Sequence, residues 1–266
     1  MSNVINDYWL KTTFQIITSM GSGTAFFLGD KDKRRFFLIT NKHVIARNDE
    51  IRQKNNELKL LLNTINQNNK IGKNELTILY DKNIVREHPD PDVDVYILDI
   101  TNVIDQSIKI EDEQLYSVSI LSNYLATPEK LKEYDIKITD EVFIIGYPSL
   151  NKLQHHLNNF PFVRQSTLAS KIGEPLEDEY KDKKIDIIRK RILRGFLIDG
   201  GVIPGMSGSP VILKPNHYRQ IRKEIIYDYF PPLLLGIVSE TRFIFTDNFY
   251  DVDIIQWQIW VLHLIL

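Results

Sequence analysis

The residues best suited to chemistry lie in Asp199-Gly200-Gly201-Val202-Ile203-Pro204-Gly205-Met206-Ser207-Gly208-Ser209-Pro210, which runs on into apolar Val211-Ile212-Leu213. The centre of this stretch reads G-x-S-G-S-P. Glycines on both sides of a serine let the backbone turn tightly without a Cβ clash. Bracketing prolines fix φ on either side. Such a turn holds the Ser207 hydroxyl out from a stiff loop. It also aims the backbone N–H groups of Gly205 and Ser207 at one point, where an oxyanion would sit. The same pattern describes a Gly/Pro turn that merely contains serines. Ser209 is the rival nucleophile, although it directly precedes Pro210.

A serine hydroxyl becomes a nucleophile only with a base beside it, and the base needs an orienting group. Upstream, the apolar run Phe36-Phe37-Leu38-Ile39 continues as Thr40-Asn41-Lys42-His43-Val44-Ile45, which places a histidine at a strand end. Between the two lies Asp92-Val93-Asp94-Val95-Tyr96-Ile97-Leu98-Asp99, acidic residues opening an apolar strand. The chain order is therefore His, Asp, Ser. The remaining histidines, His88, His155, His156, His217 and His263, lack the strand-end context and read as surface or satisfied side chains.

These blocks resemble those of trypsin-like (chymotrypsin-fold) serine peptidases, of the cysteine-free bacterial type with a T-N-x-H-V-[IV] histidine block. Gly21-Ser22-Gly23-Thr24-Ala25-Phe26 resembles the glycine-rich strand before the histidine. Val142-Phe143-Ile144-Ile145-Gly146-Tyr147-Pro148 resembles the strand that opens the second barrel, and Gly236-Ile237-Val238-Ser239 the substrate-binding strand. The resemblance runs from about Gly21 to about Phe245. It implies Ser207 as nucleophile, His43 as general base, Asp94 as the group orienting His43, and an oxyanion hole from the N–H groups of Gly205 and Ser207. Asp92 and Asp99 are the rivals of Asp94, and Asp92 would share its face if both lay inside the strand. The family pattern fits Asp94-Val95-Tyr96-Ile97-Leu98, with Tyr96 larger than the residue usual at its position.

By the same resemblance Ser239 supports the aspartate, and Ser239, Glu240 and Thr241 pair with substrate backbone as an added strand. Gly201 falls where a trypsin-like pocket would carry its acidic base. Its lack of charge points to a small or apolar side chain at the cleavage site, although Asp199 and Glu240 are close enough to weaken that. Met206 stands where relatives usually have Asn or Asp, a departure expected to touch substrate fit more than chemistry.

The elements that must position these residues are strands. A chain of 266 residues accommodates two six-stranded antiparallel β-barrels. The resemblance implies such an all-β fold, with residues 1–125 carrying His43 and Asp94, residues 126–266 carrying Ser207, and the site in the cleft between them. Pro128 and the helical spacing at Leu125, Leu131 and Tyr134 mark the connection between barrels. The charged stretch Gly173–Lys184 reads as an exposed loop, and Lys214–Asp228 as a polar excursion.

A net charge of −2 argues against a nucleic-acid partner held on a broad basic surface. The chain has no cysteine, so disulfides are excluded, and a reducing cytoplasm is the expected location. Met1–Leu10 lacks the pattern of a signal peptide. The apolar run Ile259–Leu266 is too short to span a bilayer. With no paired-histidine cluster and no G-x-x-x-x-G-K-[ST], neither a metal nor another cofactor is expected. The expected partner is a protein or peptide substrate. A latent enzyme awaiting an activating protein at the charged stretch, and a non-catalytic binding module, are the competing readings. The module is the weaker, because His43, Asp94 and Ser207 are all present.

Overall fold

The computed structural model describes residues 7–19, 21–30, 34–45, 56–66, 71–81, 83–103, 113–115, 119–149, 159–182, 187–200, 202–244 and 250–256, with backbone alone at 65–66, 113–115, 178–182, 187–189, 191, 193, 240–244 and 250–256. A short helix α1 (Asp7–Leu10) precedes β1 (Thr13–Thr18), β2 (Gly21–Asp30) and β3 (Arg35–Thr40). One helical turn, α2 (Lys42–Ile45), follows directly on β3. Then come β4 (Glu57–Asn66), β5 (Ile71–Leu79), β6 (Val85–Glu87), β7 (Tyr96–Asp99), β8 (Glu113–Leu115) and β9 (Ile120–Leu121). These form a nine-stranded sheet of order β5-β4-β1-β2-β3-β7-β6, with β8 on β4 and β9 on β2. Neighbours pair antiparallel except β9, which lies parallel to β2.

The expected helical connection is present as a turn of 3-10 helix, Ser122–Tyr124, and helix α3 (Pro128–Glu133). Thr127 caps α3 by accepting the Lys130 N–H, and Pro128 occupies the first turn, where a missing N–H costs nothing. The second half comprises β10 (Glu141–Gly146), β11 (Phe162–Leu168), β12 (Leu176–Asp182), β13 (Ile187–Leu193), β14 (Gly195–Asp199), β15 (Pro210–Leu213), β16 (Asn216–Ile221), β17 (Glu224–Phe230), β18 (Leu234–Ile237), β19 (Glu240–Ile244) and β20 (Tyr250–Gln256). Seven of these make a sheet of order β18-β15-β10-β11-β14-β20-β19, while β12–β13 and β16–β17 are separate two-stranded ribbons.

Strand alternation distributes most of the buried apolar residues over three cores. Along β2, Ala25 and Phe27 enter the core of the first half, beside Leu38, Tyr96 and Leu98. Phe26 and Leu28 face the other way, into a second core with Phe37, Ile39 and Ile97. That second core also takes Ile145, Ile212, Leu234 and Ile237 from the second half. The two halves are thus joined by a continuous apolar layer. Burial on both faces explains the apolar runs 25–28 in β2 and 36–39 in β3, which do not alternate with polar residues. The third core, with Val142, Ile144, Val211, Leu213 and Leu235, belongs to the second half.

Two expectations are corrected. Gly173–Lys184 is not simply a loop: Leu176–Asp182 pairs residue for residue with Ile187–Leu193. Lys214–Asp228 is not an excursion but most of the β16–β17 hairpin. That hairpin is fastened to the body by Arg219, which bonds the Asp140 carboxylate and the Tyr134 carbonyl. His155, His156 and the apolar run Ile259–Leu266 lie outside the described residues.

Candidate active site

His43 owes its position to the end of β3 and to the burial of its neighbours. Asn41 is fully buried, and Val44 and Ile45 dock into the first core. One helical turn is therefore pinned with His43 on its open side, and Thr18 Oγ1 donates to the Val44 carbonyl to hold it there. The His43 side chain is 42% exposed.

Asp94 lies just before β7, not inside it. Its carboxylate is the centre of the site. Oδ2 lies 2.5 Å from His43 Nδ1, and Oδ1 accepts the His43 backbone N–H at 3.1 Å. Ser239 Oγ, just past the end of β18, donates to Oδ2 at 2.9 Å. Asn41 Nδ2 donates to the Asp94 carbonyl at 2.7 Å. An ionised carboxylate only accepts, so Nδ1 must carry the ring proton, and a neutral ring then presents a bare Nε2 on its far side. The rivals are elsewhere. The Asp92 N–H donates to Asp90 Oδ1 within a turn, and Asp99 pairs with Arg35 at 2.7 Å. The structure therefore brings Asp94, and neither rival, to His43.

The serine loop is built differently, from backbone contacts. Met206 is fully buried in the third core, so its side chain anchors the loop instead of facing substrate, contrary to the expectation. Gly205 and Gly208 have φ of +94° and +87°, conformations that favour glycine. A Cβ on Gly208 would lie 2.0 Å from the Thr24 carbonyl oxygen. Ser209 is fully buried and its hydroxyl packs into the space that a Cβ on Gly146 would fill. Ser207 stays partly exposed. The two serines are thus separated by burial, and only Ser207 is reachable from solvent.

Each carbonyl around the turn is engaged. The oxygen of Pro204 accepts Ser149 N–H at 2.7 Å, that of Met206 accepts Ser209 N–H at 3.0 Å, and that of Ser207 accepts Thr24 N–H at 2.9 Å. Gly205 O accepts the Thr24 hydroxyl at 3.0 Å. Among the described residues the N–H groups of Gly205 and Ser207 meet no protein acceptor. Gly208 N–H bonds the Val238 carbonyl at 2.9 Å, one residue from Ser239. A chain of contacts therefore runs from the serine loop through Val238 and Ser239 to Asp94 and His43. No hydrogen bond joins Ser207 Oγ to His43 among the described residues.

Of the expected substrate-binding residues, Ser239 bonds Asp94, while Glu240 and Thr241 begin β19 opposite Ile254 and Asp253 of β20. Gly201 lies outside the described residues. Reasoning from sequence missed Asn41, Ser149 and Thr24 as supports. Asn41 and Thr24 each lie inside a motif block, Thr40–Ile45 and Gly21–Phe26, whereas Ser149 lies just past one. Among the described residues no group of His, Cys, Asp and Glu could hold a metal ion, and no helix is long and apolar enough to cross a membrane.

The trypsin-like peptidase domain family matches residues 23–216, and the chain belongs to that family. Its fold is the all-β architecture of trypsin-like serine peptidases, here without a cysteine. Solved structures similar to it include the inactive form of the Rv3671c protease, at 17% identity and TM-score 0.47, covering 93% of this chain and 84% of that one. A second structure of that M. tuberculosis H37Rv protein, a serine-to-alanine mutant, matches at 16% identity and TM-score 0.46, covering 93% and 81%. The structure of HBP matches at 10% identity and TM-score 0.48, covering 98% and 92%. No curated protein matches the chain.

Proposed function

We propose that the protein is a serine endopeptidase in which His43 is the general base, Asp94 its orienting partner and Ser207 the nucleophile. The observation that carries this reading is the Asp94 carboxylate, which meets His43 Nδ1, the His43 N–H and Ser239 Oγ together. A carboxylate so engaged fixes ring orientation and tautomer, the task of the third member of a triad. In the proposed reaction Ser207 Oγ attacks the scissile carbonyl carbon while His43 Nε2 takes the hydroxyl proton. The oxyanion is received by the N–H groups of Gly205 and Ser207. Collapse breaks the C–N bond, and His43 returns the proton to the leaving amine. Water, deprotonated by His43, then hydrolyses the acyl-enzyme and restores Ser207. Strand β19 ends the order of its sheet, so its outer edge is where a substrate strand would pair through Ser239, Glu240 and Thr241.

A second reading, favoured by the missing Ser207–His43 hydrogen bond, is an enzyme latent until substrate or a protein partner closes that contact. Labelling by a fluorophosphonate probe tests both. Labelling of the wild type that vanishes in Ser207→Ala is the expected result. Labelling that appears only after a partner is added would replace constitutive activity with latency. No labelling under either condition would leave a binding module on a peptidase fold. We further infer a cytoplasmic location from the absence of cysteine; recovery in a periplasmic or secreted fraction would refute it.

A further inference from the structure

The oxyanion hole depends on the directions of two peptide N–H groups, and those directions are set by whatever holds the carbonyls beside them. In a trans peptide the N–H points opposite to its own C=O. The Gly205 N–H therefore points away from Ser149, which holds the Pro204 carbonyl. The Ser207 N–H points away from Ser209, which holds that of Met206. Gly205 is the loose joint in this arrangement. Without a Cβ, at a φ of +94°, its own torsions restrain the peptides on either side of it less than those of any other residue would, so their directions rest on the groups that bond them.

We propose that the Thr24 hydroxyl locks that joint and is a positioning residue for the oxyanion hole. Thr24 is fully buried on β2, in the half of the molecule that does not carry the serine. Its Oγ1 donates to the Gly205 carbonyl at 3.0 Å and accepts the Tyr147 N–H, also at 3.0 Å. One hydroxyl thus holds the peptide after Gly205 from one side. It also secures the Tyr147–Ser149 segment, whose Ser149 N–H holds the peptide before it. Two bonds at the Thr24 backbone complete the clamp: its N–H donates to Ser207 O, and its carbonyl accepts the Thr40 hydroxyl at 2.8 Å. A hydroxyl has one proton to donate and lone pairs to accept with, and here the proton goes to the serine loop and a lone pair to the Tyr147 N–H just past β10. Valine has the same shape and neither capacity, so it would leave the Gly205 carbonyl without its donor and the Tyr147 N–H without its acceptor.

This inference rests on the peptidase reading and is tested so that the two can fail separately. Fluorophosphonate labelling of the full chain gives a saturable affinity and a maximal rate, and the phosphonyl oxygen of the probe occupies the oxyanion position. For Thr24→Val the maximal labelling rate should fall about tenfold to a hundredfold, less than the roughly 10²–10³ lost when a donor is deleted outright. The affinity for the probe should stay unchanged. Thr24→Ser, which keeps the hydroxyl, should label like the wild type. A purely structural role would lower the melting temperature of the valine variant without separating rate from affinity. A folded Thr24→Val variant labelling at the wild-type rate would overturn the role of Thr24 and leave the peptidase reading standing. If the valine variant does not fold, the serine variant decides. Wild-type labelling supports the hydroxyl as the agent, and a fall of about tenfold or more overturns it. No labelling of the wild type itself would overturn the peptidase reading, and the role of Thr24 with it.

Discussion

The two sides of the site are built on opposite principles. The His43–Asp94 side is held by side chains: one carboxylate collects two bonds from His43 and one from Ser239. The Ser207 side is held by backbone: four consecutive carbonyls find donors, three of them main-chain N–H groups, and the glycine conformations make the turn possible. A site made from side chains should yield to a change of one atom. A site made from backbone should ignore most side-chain changes and yield to steric intrusion.

The largest effect expected from this contrast is that of Asp94→Asn. The amide keeps the shape of the carboxylate but turns one acceptor into a donor. His43 Nδ1 must then accept, the proton moves to Nε2, and the ring can no longer take a proton from Ser207. Turnover should fall about 10⁴-fold, the size associated with this substitution in the family's triad, with the fold intact. A loss below about tenfold in a variant that melts like the wild type would show that Asp94 does not set the tautomer.

Steric intrusion is tested by Gly208→Ala. Its Cβ would stand 2.0 Å from the Thr24 carbonyl oxygen and 2.8 Å from Thr40 Oγ1, at a φ of +87°. Strained backbone of this kind costs about 1–3 kcal/mol before the clash is counted. The melting temperature should drop by at least several degrees, at roughly 2–4 °C per kcal/mol for a chain of this size. Labelling should be lost together with it. Gly21→Ala is the control, since Gly21 also has positive φ, +137°, but nothing lies within 4 Å of its added Cβ. It should suffer the backbone strain alone. Equal losses in the two variants would mean that contact with β2 does not shape the serine loop.

What could be read from sequence divides along related lines. His43, Asp94 and Ser207 were legible as candidates because each lies at the border of an apolar run, and the runs are buried strands. Asp94 was separable from Asp92 by family pattern only. The physical reason emerges from the fold: β7 starts at Tyr96, which leaves Asp92 in a turn. The support by Ser239 was legible through the resemblance, whereas Thr24 was legible only as a member of the Gly21–Phe26 block, because a buried hydroxyl has no period that would announce its partners. The β12–β13 ribbon was hidden by its charges, which mask strand alternation. The β16–β17 hairpin turns at Arg222 and Lys223, both with φ > 0, without the glycine or asparagine that normally announces such a turn.

The smallest expected effect concerns pH and again separates the two sides. His88 sits in the turn leading to Asp94, only 9% exposed, with Nδ1 accepting the Asp90 N–H at 2.9 Å. Burial lowers its pKa below the ordinary 6.5, helped by the charges of Arg194 and Lys42 and opposed by that of Asp90. A histidine whose folded pKa is depressed binds its proton more readily in the unfolded chain. The stability it contributes is therefore complete above pH 6.5 and is lost as pH falls from there toward the folded pKa. The turn that carries Asp94 should loosen in that window, while the serine loop, which rests on groups that do not titrate, should not. Melting curves between pH 7.5 and 5 (about the range over which histidine changes charge) should fall less steeply for His88→Gln than for the wild type. Parallel curves would mean that His88 is free to charge in the folded protein. The dependence of the Asp94 side on side-chain chemistry would then stop at His43 and Ser239.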